Sequence, residues 1–340
     1  MKLFVLMHVL ALLLGSQNVR LQGDRSIPFE GKSYVVLDAS SGQVLEEKNK
    51  DYVQSVASIS KIMTCIIAIE NKDLNTIVEV DDTINKAWGS GVYVHIGDRI
   101  SLRDLVYGLM LRSGNDAAVL IAKAVSGSIE AFVQKMNDKA LEIGLENTHF
   151  SNPTGLDEED SGNRSSAYDM ARILAYCHQN PIFDTISQTK LYRRQDGNGT
   201  WKNKNRLLHE YPYCIGGKTG FTKKAKRTLA TIASKDGMDF IIVTLQCGND
   251  FSFHKSTYEK YFSLLKYVTL HKGVITYKNK KYFLDLDIDV PTLQKSAVTY
   301  QIIDDTLVIK IGNAIYATEK VDHAYFLRAI IRVCEDLLYG

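Results

Sequence analysis

The sequence has little of the chemistry that disulfide frameworks and metal sites require. Its five cysteines are scattered, odd in number and mostly set among apolar residues, at positions 65, 177, 214, 247 and 334. This pattern argues against a disulfide framework and against a zinc site, and it is typical of buried free thiols. There is no His-Glu-x-x-His motif and no cluster of histidines and cysteines, so no metal site is expected.

The sequence also lacks an excess of charge of either sign. It has 41 lysines and arginines against 39 acidic residues, a formal net charge of +2. No clustered basic face is evident, which argues against a nucleic-acid-binding protein. A hydrophobic content of 45% and a charged content of 24% are those of an ordinary globular protein, and 340 residues leave room for one large domain and a small one.

No apolar run is long enough for a standard membrane span. The longest stands at the start, where Met1 and Lys2 precede apolar residues 3–14. A basic start and a short apolar core are the signature of a secretory signal peptide, which we assign to residues 1–22. There is no clean Ala-x-Ala site, so cleavage is placed only between Gly15 and Gly23, and no cysteine follows closely enough for a lipoprotein. The sequence therefore predicts an exported protein.

Hydrophobic periodicity predicts helices and strands in alternation, followed by a strand-rich region. A strand at 33–39 and its return from 43 form a hairpin. Helices are predicted for 102–111, 116–125, 128–143, 165–176 and 256–265, and adjacent antiparallel strands for 228–233 and 240–246. Residues 268–318 read as short strands and turns. We therefore predict a large domain of mixed helices and antiparallel sheet over 25–266 and a small β-rich domain over 268–320.

The C-terminal residues 322–340 form an amphipathic pattern. Apolar residues such as Phe326 and Ile330 share one face at helical spacing, and charged residues such as Arg328 and Glu335 lie opposite. Such a helix can lie on a membrane surface or dock on the protein. Its terminal position favours the membrane.

Ser58 and Lys61 stand three positions apart ahead of the apolar run 65–69. Residues three apart share one face of a helix, so these two side chains are predicted to meet. A serine hydroxyl needs a base to act as a nucleophile, and a lysine is such a base when burial or a nearby positive charge removes its proton. Taken alone, the pattern favours an ordinary helix start with Ser58 as its N-cap.

Ser113-Gly114-Asn115 separates two of the predicted helices. Gly114 is expected to permit a tight turn that leaves Ser113 and Asn115 on the same side of the backbone, within reach of one site. The alternative is a capped helix junction in which Ser113 or Asn115 is the N-cap.

Lys218-Thr219-Gly220 follows Gly216 and Gly217 and resembles part of a phosphate-binding loop. That motif requires a glycine five positions before Gly217, where Pro212 stands, and no helix follows. The segment is therefore predicted to be a strand. Lys218 and Thr219 would face a site, and Gly220 would let a substrate backbone approach closely.

A serine and lysine on a helix, a Ser-x-Asn loop and a Lys-Thr-Gly strand, in that order, are the signatures of penicillin-recognising serine enzymes. The chain resembles low-molecular-mass penicillin-binding proteins of the D-alanyl-D-alanine carboxypeptidase type from about residue 33 to residue 265. Some segments look most like the sporulation-associated branch. The resemblance is carried, besides the motifs, by the segments 111–118, 151–156, 201–208 and 216–234.

The resemblance implies an α/β (α+β) transpeptidase-like and β-lactamase-like fold with an antiparallel sheet flanked by helices, and residues 25–266 would be its catalytic domain. Residues 268–320 would be its β-rich stalk and 322–340 a possible membrane anchor. It implies an exported enzyme at the outer face of the membrane or at the cell wall. Its substrates would be peptidoglycan stem peptides of the wall or spore cortex, β-lactams would be covalent inhibitors, and no cofactor would be needed.

The resemblance also implies roles for the motif residues. Ser58 would attack the carbonyl between two terminal D-alanines and Lys61 would act as its general base. Ser113 would relay the proton to the leaving amine. Asn115 would hold the substrate amide. The positive charge of Lys218 would help to keep Lys61 neutral.

Substrate binding would fall to the residues of the Lys-Thr-Gly strand. Thr219 would bind the terminal carboxylate, and the backbone N–H groups of Ser58 and Phe221 would form the oxyanion hole. A further basic residue often assists in related enzymes, and Arg227 or His254 is the candidate here.

The same motif residues are compatible with other functions. A D,D-endopeptidase would use the same residues to cut cross-links. A non-catalytic wall-binding or β-lactam-sensing protein is less favoured, since it would be free to lose the motif residues. A class A β-lactamase is disfavoured because residues 152–163 contain no Glu-x-x-Leu-Asn pattern.

Overall fold

The computed structural model describes residues 27–157, 162–293, 298–311 and 314–321. The predicted signal peptide of 1–22 and the predicted C-terminal helix of 322–340 lie outside the described residues. Within the described ranges, no helix is both long and apolar enough to cross a membrane. The four cysteines described, at 65, 177, 214 and 247, are buried free thiols, as predicted.

Strands and helices are numbered in chain order. The strands are β1 (Ser33–Asp38), β2 (Val44–Lys48), β3 (Gln54–Ser55), β4 (Ile77–Glu79), β5 (Arg99–Ser101), β6 (Arg164–Ser165), β7 (Leu191–Arg193), β8 (Thr200–Lys202), β9 (Cys214–Thr222), β10 (Lys226–Lys235), β11 (Met238–Leu245), β12 (Lys266–Leu270), β13 (Gly273–Tyr277), β14 (Lys280–Leu284), β15 (Ile288–Thr292), β16 (Val298–Ile303), β17 (Thr306–Ile311) and β18 (Ala314–Lys320). The α-helices are α1 (Lys61–Asn71), α2 (Leu102–Tyr107), α3 (Asn115–Ser126), α4 (Ile129–Ile143), α5 (Ala167–His178), α6 (Pro181–Gln188), α7 (Leu207–Glu210) and α8 (Asp250–Ser263). Short 3₁₀ turns cover Ala57–Ser60 and Asp82–Lys86, and a π-helical turn covers Gly108–Arg112.

A five-stranded antiparallel sheet in the order β2-β1-β11-β10-β9 forms the centre of the fold. The predicted hairpin between β10 and β11 is confirmed. Its turn uses Asp236 and Gly237 at φ values of 53° and 79°. An Asp-Gly pair with both φ values positive is the preferred two-residue connection between antiparallel strands, because its twist matches theirs.

Both faces of the sheet are covered. Along β1, Val35 and Leu37 point into one core with the helix α1, whereas Tyr34 and Val36 point into a second core with α8. Successive side chains of a strand point to opposite faces, so every residue of β1 is buried. The consequence for the site is that α1 lies deep in the protein, with its first eight residues buried.

Helix α8 begins at Asp250, six residues before the predicted start at 256. Its first residues alternate polar Asp250 and Ser252 with apolar Phe251 and Phe253, which is not the apolar spacing of a helix. Asp250 is buried there, accepting from the backbone N–H of Phe251 and from the Arg227 guanidinium.

The C-terminal part of the described chain is rich in strands. It contains the pairs β12–β15 and β13–β14 and the sheet β16-β17-β18. Tyr267 of β12 donates to the Asp236 carboxylate at 2.6 Å, and the ring of Tyr316 of β18 lies against Gly237. The β10–β11 turn is therefore held by two tyrosines of the strand-rich region. A domain boundary between 266 and 268 stays a prediction.

Candidate active site

Ser58 and Lys61 meet as predicted, on slightly different secondary structure. Ser58 lies in the 3₁₀ turn Ala57–Ser60, and Lys61 is the first residue of α1. Lys61 Nζ is 2.9 Å from Ser58 Oγ. The residues in the N-cap positions of the turn and of the helix are Val56 and Ser60, and neither makes a side-chain cap. The alternative of Ser58 as a helix cap is therefore wrong.

Lys61 is fully buried. Burial, and next the positive charges of Lys218 and Lys204, lower its pKa well below that of an ordinary lysine. Burial and the charge of Lys204 also lower the pKa of Lys218 to about 7. Burial and the positive charges of Lys218 and Lys204 therefore favour the neutral amine form of Lys61. A neutral amine 2.9 Å from a hydroxyl can accept its proton.

The turn at Ser113-Gly114-Asn115 differs from the predicted one. Helix α2 widens into the π turn Gly108–Arg112, and the left-handed residue is Ser113, with φ 63°. Gly114 has a negative φ, and its lack of a side chain serves packing instead. A Cβ there would come within 2.9 Å of Val92 Cγ1. Gly114 occupies the N-cap position of α3 without a side-chain bond, so neither serine nor asparagine caps this helix.

Asn115 is the first residue of α3 and faces Lys61. Its Oδ1 lies 2.7 Å from Lys61 Nζ, and its Nδ2 donates to the carbonyl of Trp88. Both ends of the amide are thereby engaged, which orients it. The buried Ser113 lines the same cavity as Ser58, so the predicted convergence on one site is found.

Lys218, Thr219 and Gly220 lie on β9, as predicted, opposite Ala230, Leu229 and Thr228 of β10. Strand β9 is the last strand of the sheet, and its Gly217 N–H donates to Ser187 Oγ of α6 at 2.8 Å. A Cβ at Gly220 would stand 2.4 Å from Thr228 Oγ1 and 3.0 Å from Ser58 N. The glycine therefore lets β9 approach the turn that carries Ser58. Gly220 was predicted to admit the backbone of a substrate, whereas the backbone that comes close to it here belongs to the protein itself.

A cavity of about 410 Å³ opens where these elements meet. Lys61 and Lys218 are buried beneath it, and the side chain of Phe221 stands exposed at its edge. The three motifs therefore surround one cavity. The residues that line it are Ser58, Ser90, Ser113, Lys204, Arg206, Thr219, Gly220, Phe221, Arg227, Thr228, Asp250 and Phe251.

Of the two basic candidates for substrate binding, only Arg227 reaches this cavity. His254 is fully buried between α8 and the sheet, with its ring nitrogens 2.7 Å from Thr231 Oγ1 and 3.0 Å from Thr244 Oγ1. Burial lowers its pKa to about 3, so it carries no charge at neutral pH. The prediction of His254 as a substrate ligand is wrong.

Two contributors to the site were not predicted. The carbonyl of Thr154 accepts from Lys61 Nζ and lies 3.4 Å from Ser58 Oγ. Lys204 stands at the cavity with its Nζ 3.3 Å from Ser90 Oγ. A backbone carbonyl leaves no mark in a sequence. The position of Lys204 between two asparagines is only a weak indication of a functional residue in the sequence. In the structure both asparagines, Asn203 and Asn205, are buried.

Among the residues that the structure describes, no three histidine, cysteine, aspartate or glutamate side chains group closely enough to hold a metal ion. The chemistry of the site rests on hydroxyl, amine and amide groups. A hydroxyl beside a neutral buried amine is suited to form an ester with a bound acyl group.

Fold and site together define a penicillin-recognising serine enzyme. The chain belongs to the peptidase S11 family, D-alanyl-D-alanine carboxypeptidase, whose model matches residues 22–249. It is 35% identical over 283 residues to D-alanyl-D-alanine carboxypeptidase DacF of Bacillus subtilis, covering 77% of this chain and 71% of that protein.

Solved structures agree with this placement. The D-alanyl-D-alanine carboxypeptidase of Mycobacterium tuberculosis H37Rv matches with a TM-score of 0.66 and 30% identity, over 70% of this chain and 94% of that one. Penicillin binding protein 5 from Haemophilus influenzae matches with a TM-score of 0.66 and 25% identity, over 87% of this chain and 97% of that one. The second match extends past the central sheet into the strand-rich region.

Proposed function

We propose that this protein is a serine D-alanyl-D-alanine carboxypeptidase that removes the terminal D-alanine from peptidoglycan pentapeptides and is acylated by β-lactams. The observation that carries the proposal is the 2.9 Å contact between Ser58 Oγ and the fully buried Lys61 Nζ. Membership of the family supports the same activity.

In the acylation step, Ser58 Oγ attacks the carbonyl carbon between the two D-alanines while Lys61 Nζ takes the hydroxyl proton. The backbone N–H groups of Ser58 and Phe221 hold the negative charge that develops on the carbonyl oxygen, a contribution of about 3–4 kcal/mol per donor. The C–N bond then breaks, and Ser113 relays a proton to the departing amine. Water hydrolyses the ester and restores the Ser58 hydroxyl.

The substrate is held from both sides of this bond. Asn115, already oriented by Trp88, would bind the amide on the acyl side. Thr219 and Lys218 would bind the terminal carboxylate, with Arg227 at the end of the cavity as their partner. Because an anion stabilises a nearby ammonium, a bound carboxylate raises the pKa of Lys218 above its value of about 7 and keeps it charged.

Arg227 is not free to move far. Its Nη2 lies 2.6 Å from Oδ1 of the buried Asp250, and its guanidinium lies over the ring of Phe251. These contacts fix its direction and neutralise part of its charge. Arg227 therefore acts as an oriented hydrogen-bond donor more than as a free cation.

The protein would work outside the cytoplasm, at the outer face of the membrane or at the wall, with residues 322–340 as a surface anchor. The likeness to DacF of Bacillus subtilis supports the sporulation-associated branch. Deleting 322–340 should release the protein from membranes. A truncated protein that still sediments with membranes would contradict the anchor.

The activity is tested by acylation and by product analysis. A fluorescent penicillin should label the wild type and Ser40→Ala, a serine variant on the distant β1–β2 turn, but not Ser58→Ala. Equal labelling of Ser58→Ala would contradict the nucleophile. Incubation with a muramyl pentapeptide and with a cross-linked dimer then separates the activities. Loss of one alanine supports a carboxypeptidase, cleavage of the dimer alone an endopeptidase, and no product a non-catalytic protein.

A further inference from the structure

A second cavity, of about 340 Å³, lies beside the active-site cavity and is lined mainly by basic side chains. Arg112, Lys202, Lys204 and Arg206 line it, and Glu210 is the one acidic residue among the described residues of its wall. The chain as a whole has 41 basic and 39 acidic residues, so this concentration of positive charge is local. We call this second cavity the basic cavity. The mechanism derived above uses neither Arg112 nor Lys202.

The segment 201–206 presents three of these cations in a row. Its side chains alternate, so that Lys202, Lys204 and Arg206 are exposed while the residues between them are buried. Alternate residues of an extended segment lie about 6.6 Å apart on the same side. Like charges at this spacing repel one another, and an anion placed among them removes part of that repulsion.

Two buried asparagines hold this segment in place. Asn203 donates its side-chain amide to a backbone carbonyl at 3.0 Å, and Asn205 donates to the carbonyl of Gly216 of β9 at 3.3 Å. The backbone N–H of Lys204 donates to the carbonyl of Leu111 in the π turn at 3.1 Å. The cations therefore project from a fixed backbone, which lowers the entropic cost of binding an anion between them.

The protein neutralises the charge of the basic cavity only in part. Glu210 Oε1 lies 3.6 Å from Arg206 Nε, and these two side chains are 55% and 63% exposed. An ion pair so open to water contributes little. Burial, and next the positive charge of Arg112, lower the pKa of Lys204, so repulsion between cations is present in the cavity.

The basic cavity adjoins the end of the active site that would receive the terminal carboxylate. Arg206 lines both cavities. Its guanidinium lies 4.6 Å from the ring centroid of Phe251, and the guanidinium of Arg227 lies 5.4 Å from the same centroid. Arg112 directly precedes Ser113, the proposed proton donor to the leaving amine. The basic cavity is therefore next to the residue that the reaction would release.

We propose that the basic cavity binds a carboxylate on the side chain of the leaving residue, and that the enzyme therefore favours acidic leaving residues over neutral ones of the same shape. This inference rests on the proposed function. The methyl side chain of D-alanine is too short to pass Arg206, whereas a longer acidic side chain reaches the cations beyond it. The leaving strand of a cross-linked peptide can supply such a group.

The test compares two peptides, diacetyl-L-lysyl-D-alanyl-D-glutamate and diacetyl-L-lysyl-D-alanyl-D-glutamine. They differ by one charge at nearly constant shape, and the quantity measured is the ratio of their kcat/KM values. We expect the wild type to favour the D-glutamate peptide roughly fivefold, and the ratio to fall toward one in Arg112→Gln and in Lys202→Gln. The matched control is Lys224→Gln, which removes an exposed charge from the β9–β10 turn and should leave the ratio unchanged.

Reversing one charge gives an independent measurement. A peptide that ends in D-lysine should be a poorer substrate of the wild type than the D-glutamine peptide, because its ammonium enters a positive cavity. In Lys202→Glu this disadvantage should shrink, while the preference for D-glutamate should be lost. Unchanged preferences in Lys202→Glu would contradict the proposal.

The remaining outcomes separate the proposal from its alternatives. Equal kcat/KM values for the two peptides in the wild type overturn it, as does a ratio that Arg112→Gln and Lys202→Gln leave unchanged. Inhibition by inorganic phosphate without any preference between the peptides also overturns it, since the cavity would then bind anions unrelated to the leaving residue. If Arg112→Gln no longer reacts with penicillin, Lys202→Gln decides the question.

Failure of the proposed function gives a different result from failure of this inference. A wild type that reacts with penicillin but cleaves no peptide ending in D-Ala-D-Ala contradicts the carboxypeptidase, and the basic-cavity proposal falls with it. A wild type that cleaves D-Ala-D-Ala and treats the D-glutamate and D-glutamine peptides alike contradicts the basic-cavity proposal alone.

Discussion

Asn163 donates its side-chain amide to the hydroxyl of Ser60 at 2.9 Å, across 103 positions of the chain. The Ser60 hydroxyl in turn donates to the carbonyl of Ala57. The 3₁₀ turn that carries Ser58 is thereby tied to the loop 151–156. That loop supplies the Thr154 carbonyl to Lys61. The buried side-chain amide of Asn163 therefore fixes how Ser58, Lys61 and the loop 151–156 are placed relative to one another.

Replacing Asn163 should loosen this arrangement. Its Oδ1 accepts from the backbone N–H groups of Ser151 and Asn152, and Asn163→Ala would leave both without this partner. We expect a loss of about 2–4 kcal/mol in the free energy of unfolding, since unsatisfied buried donors are costly, and a slower penicillin acylation. Urea denaturation and labelling rates measure the two effects.

The matched variant is Asn163→Asp, which keeps an acceptor for the N–H groups of Ser151 and Asn152 and loses the donor to the Ser60 hydroxyl and to the Asn152 carbonyl. It should be more stable than Asn163→Ala while still acylating slowly. Wild-type acylation by Asn163→Asp would show that the Ser60 contact does not position the nucleophile.

Lys204 should set the pH at which acylation begins. Its charge contributes to the lowered pKa of Lys61 and of Lys218, after the effect of burial. Removing that charge in Lys204→Gln makes protonation of Lys61 easier, so its pKa rises and less neutral amine is present at a given pH. The acid limb of the rate profile should move to higher pH, with a several-fold slower reaction near neutrality.

Acylation rates from pH 5 to pH 10 measure this shift. Lys204→Arg keeps a positive charge near the same position and should retain most of the wild-type profile. A uniform loss of rate without a shift of the acid limb would mean that Lys204 binds substrate without tuning the base.

His178 should make folding stability depend on alkaline pH. Its ring nitrogens lie 2.9 Å from Asp184 and 3.0 Å from Asp239. Burial acts to lower its pKa, but the two carboxylates outweigh it and raise the pKa from 6.5 to about 9. A raised folded-state pKa gives stability that is full below the unfolded value of 6.5 and is lost as the pH rises through about 9.

His178→Gln should therefore cost about 2 kcal/mol more at pH 6 than at pH 10 relative to the wild type. Urea denaturation at the two pH values measures the difference. Asp184→Asn and Asp239→Asn each leave one carboxylate and should show a smaller pH dependence. An equal cost of His178→Gln at both pH values would contradict a charged imidazole in the folded protein.

Gly237 should couple the central sheet to the strand-rich region. At φ 79° an alanine is strained, and its Cβ would stand 2.9 Å from the Tyr316 ring. We expect Gly237→Ala to lower the free energy of unfolding by about 1 kcal/mol from the backbone alone, with a further loss from the ring contact.

A double-mutant cycle with Tyr316→Ala isolates the second part. In the Tyr316→Ala background the cost of Gly237→Ala should fall to the backbone contribution. Equal costs in both backgrounds would show that the ring does not press on the turn.

The sequence could predict those parts of the site in which local spacing decides the geometry. Ser58 and Lys61 meet because residues three apart share a helical face, in a 3₁₀ turn as in an α-helix. The Asp236-Gly237 hairpin follows from local turn chemistry in the same way. The prediction that the three motifs form one site came from family resemblance, because no spacing rule links Lys218 to Lys61.

Features that depend on tertiary contacts escaped prediction. The widened turn before Ser113, the Thr154 carbonyl and the buried place of His254 all depend on what packs against them. A histidine near a motif looks the same in sequence whether it faces the cavity or two buried threonines. The roles of Gly114 and Gly220 were predicted wrongly for a related reason. Neighbouring side chains and backbone leave no room for a Cβ at either position, and the sequence does not show these neighbours.

The π turn Gly108–Arg112 determines where a residue can be deleted from this chain without displacing the active site. A π turn spends about one residue more than an α-helical turn to cover the same length of axis. Removing one residue between 108 and 112 would therefore return the segment to regular helix and leave Ser113 near its present place. A one-residue deletion should therefore be better tolerated in this stretch than in the regular helices on either side, and a one-residue gap in alignments with active relatives is expected here.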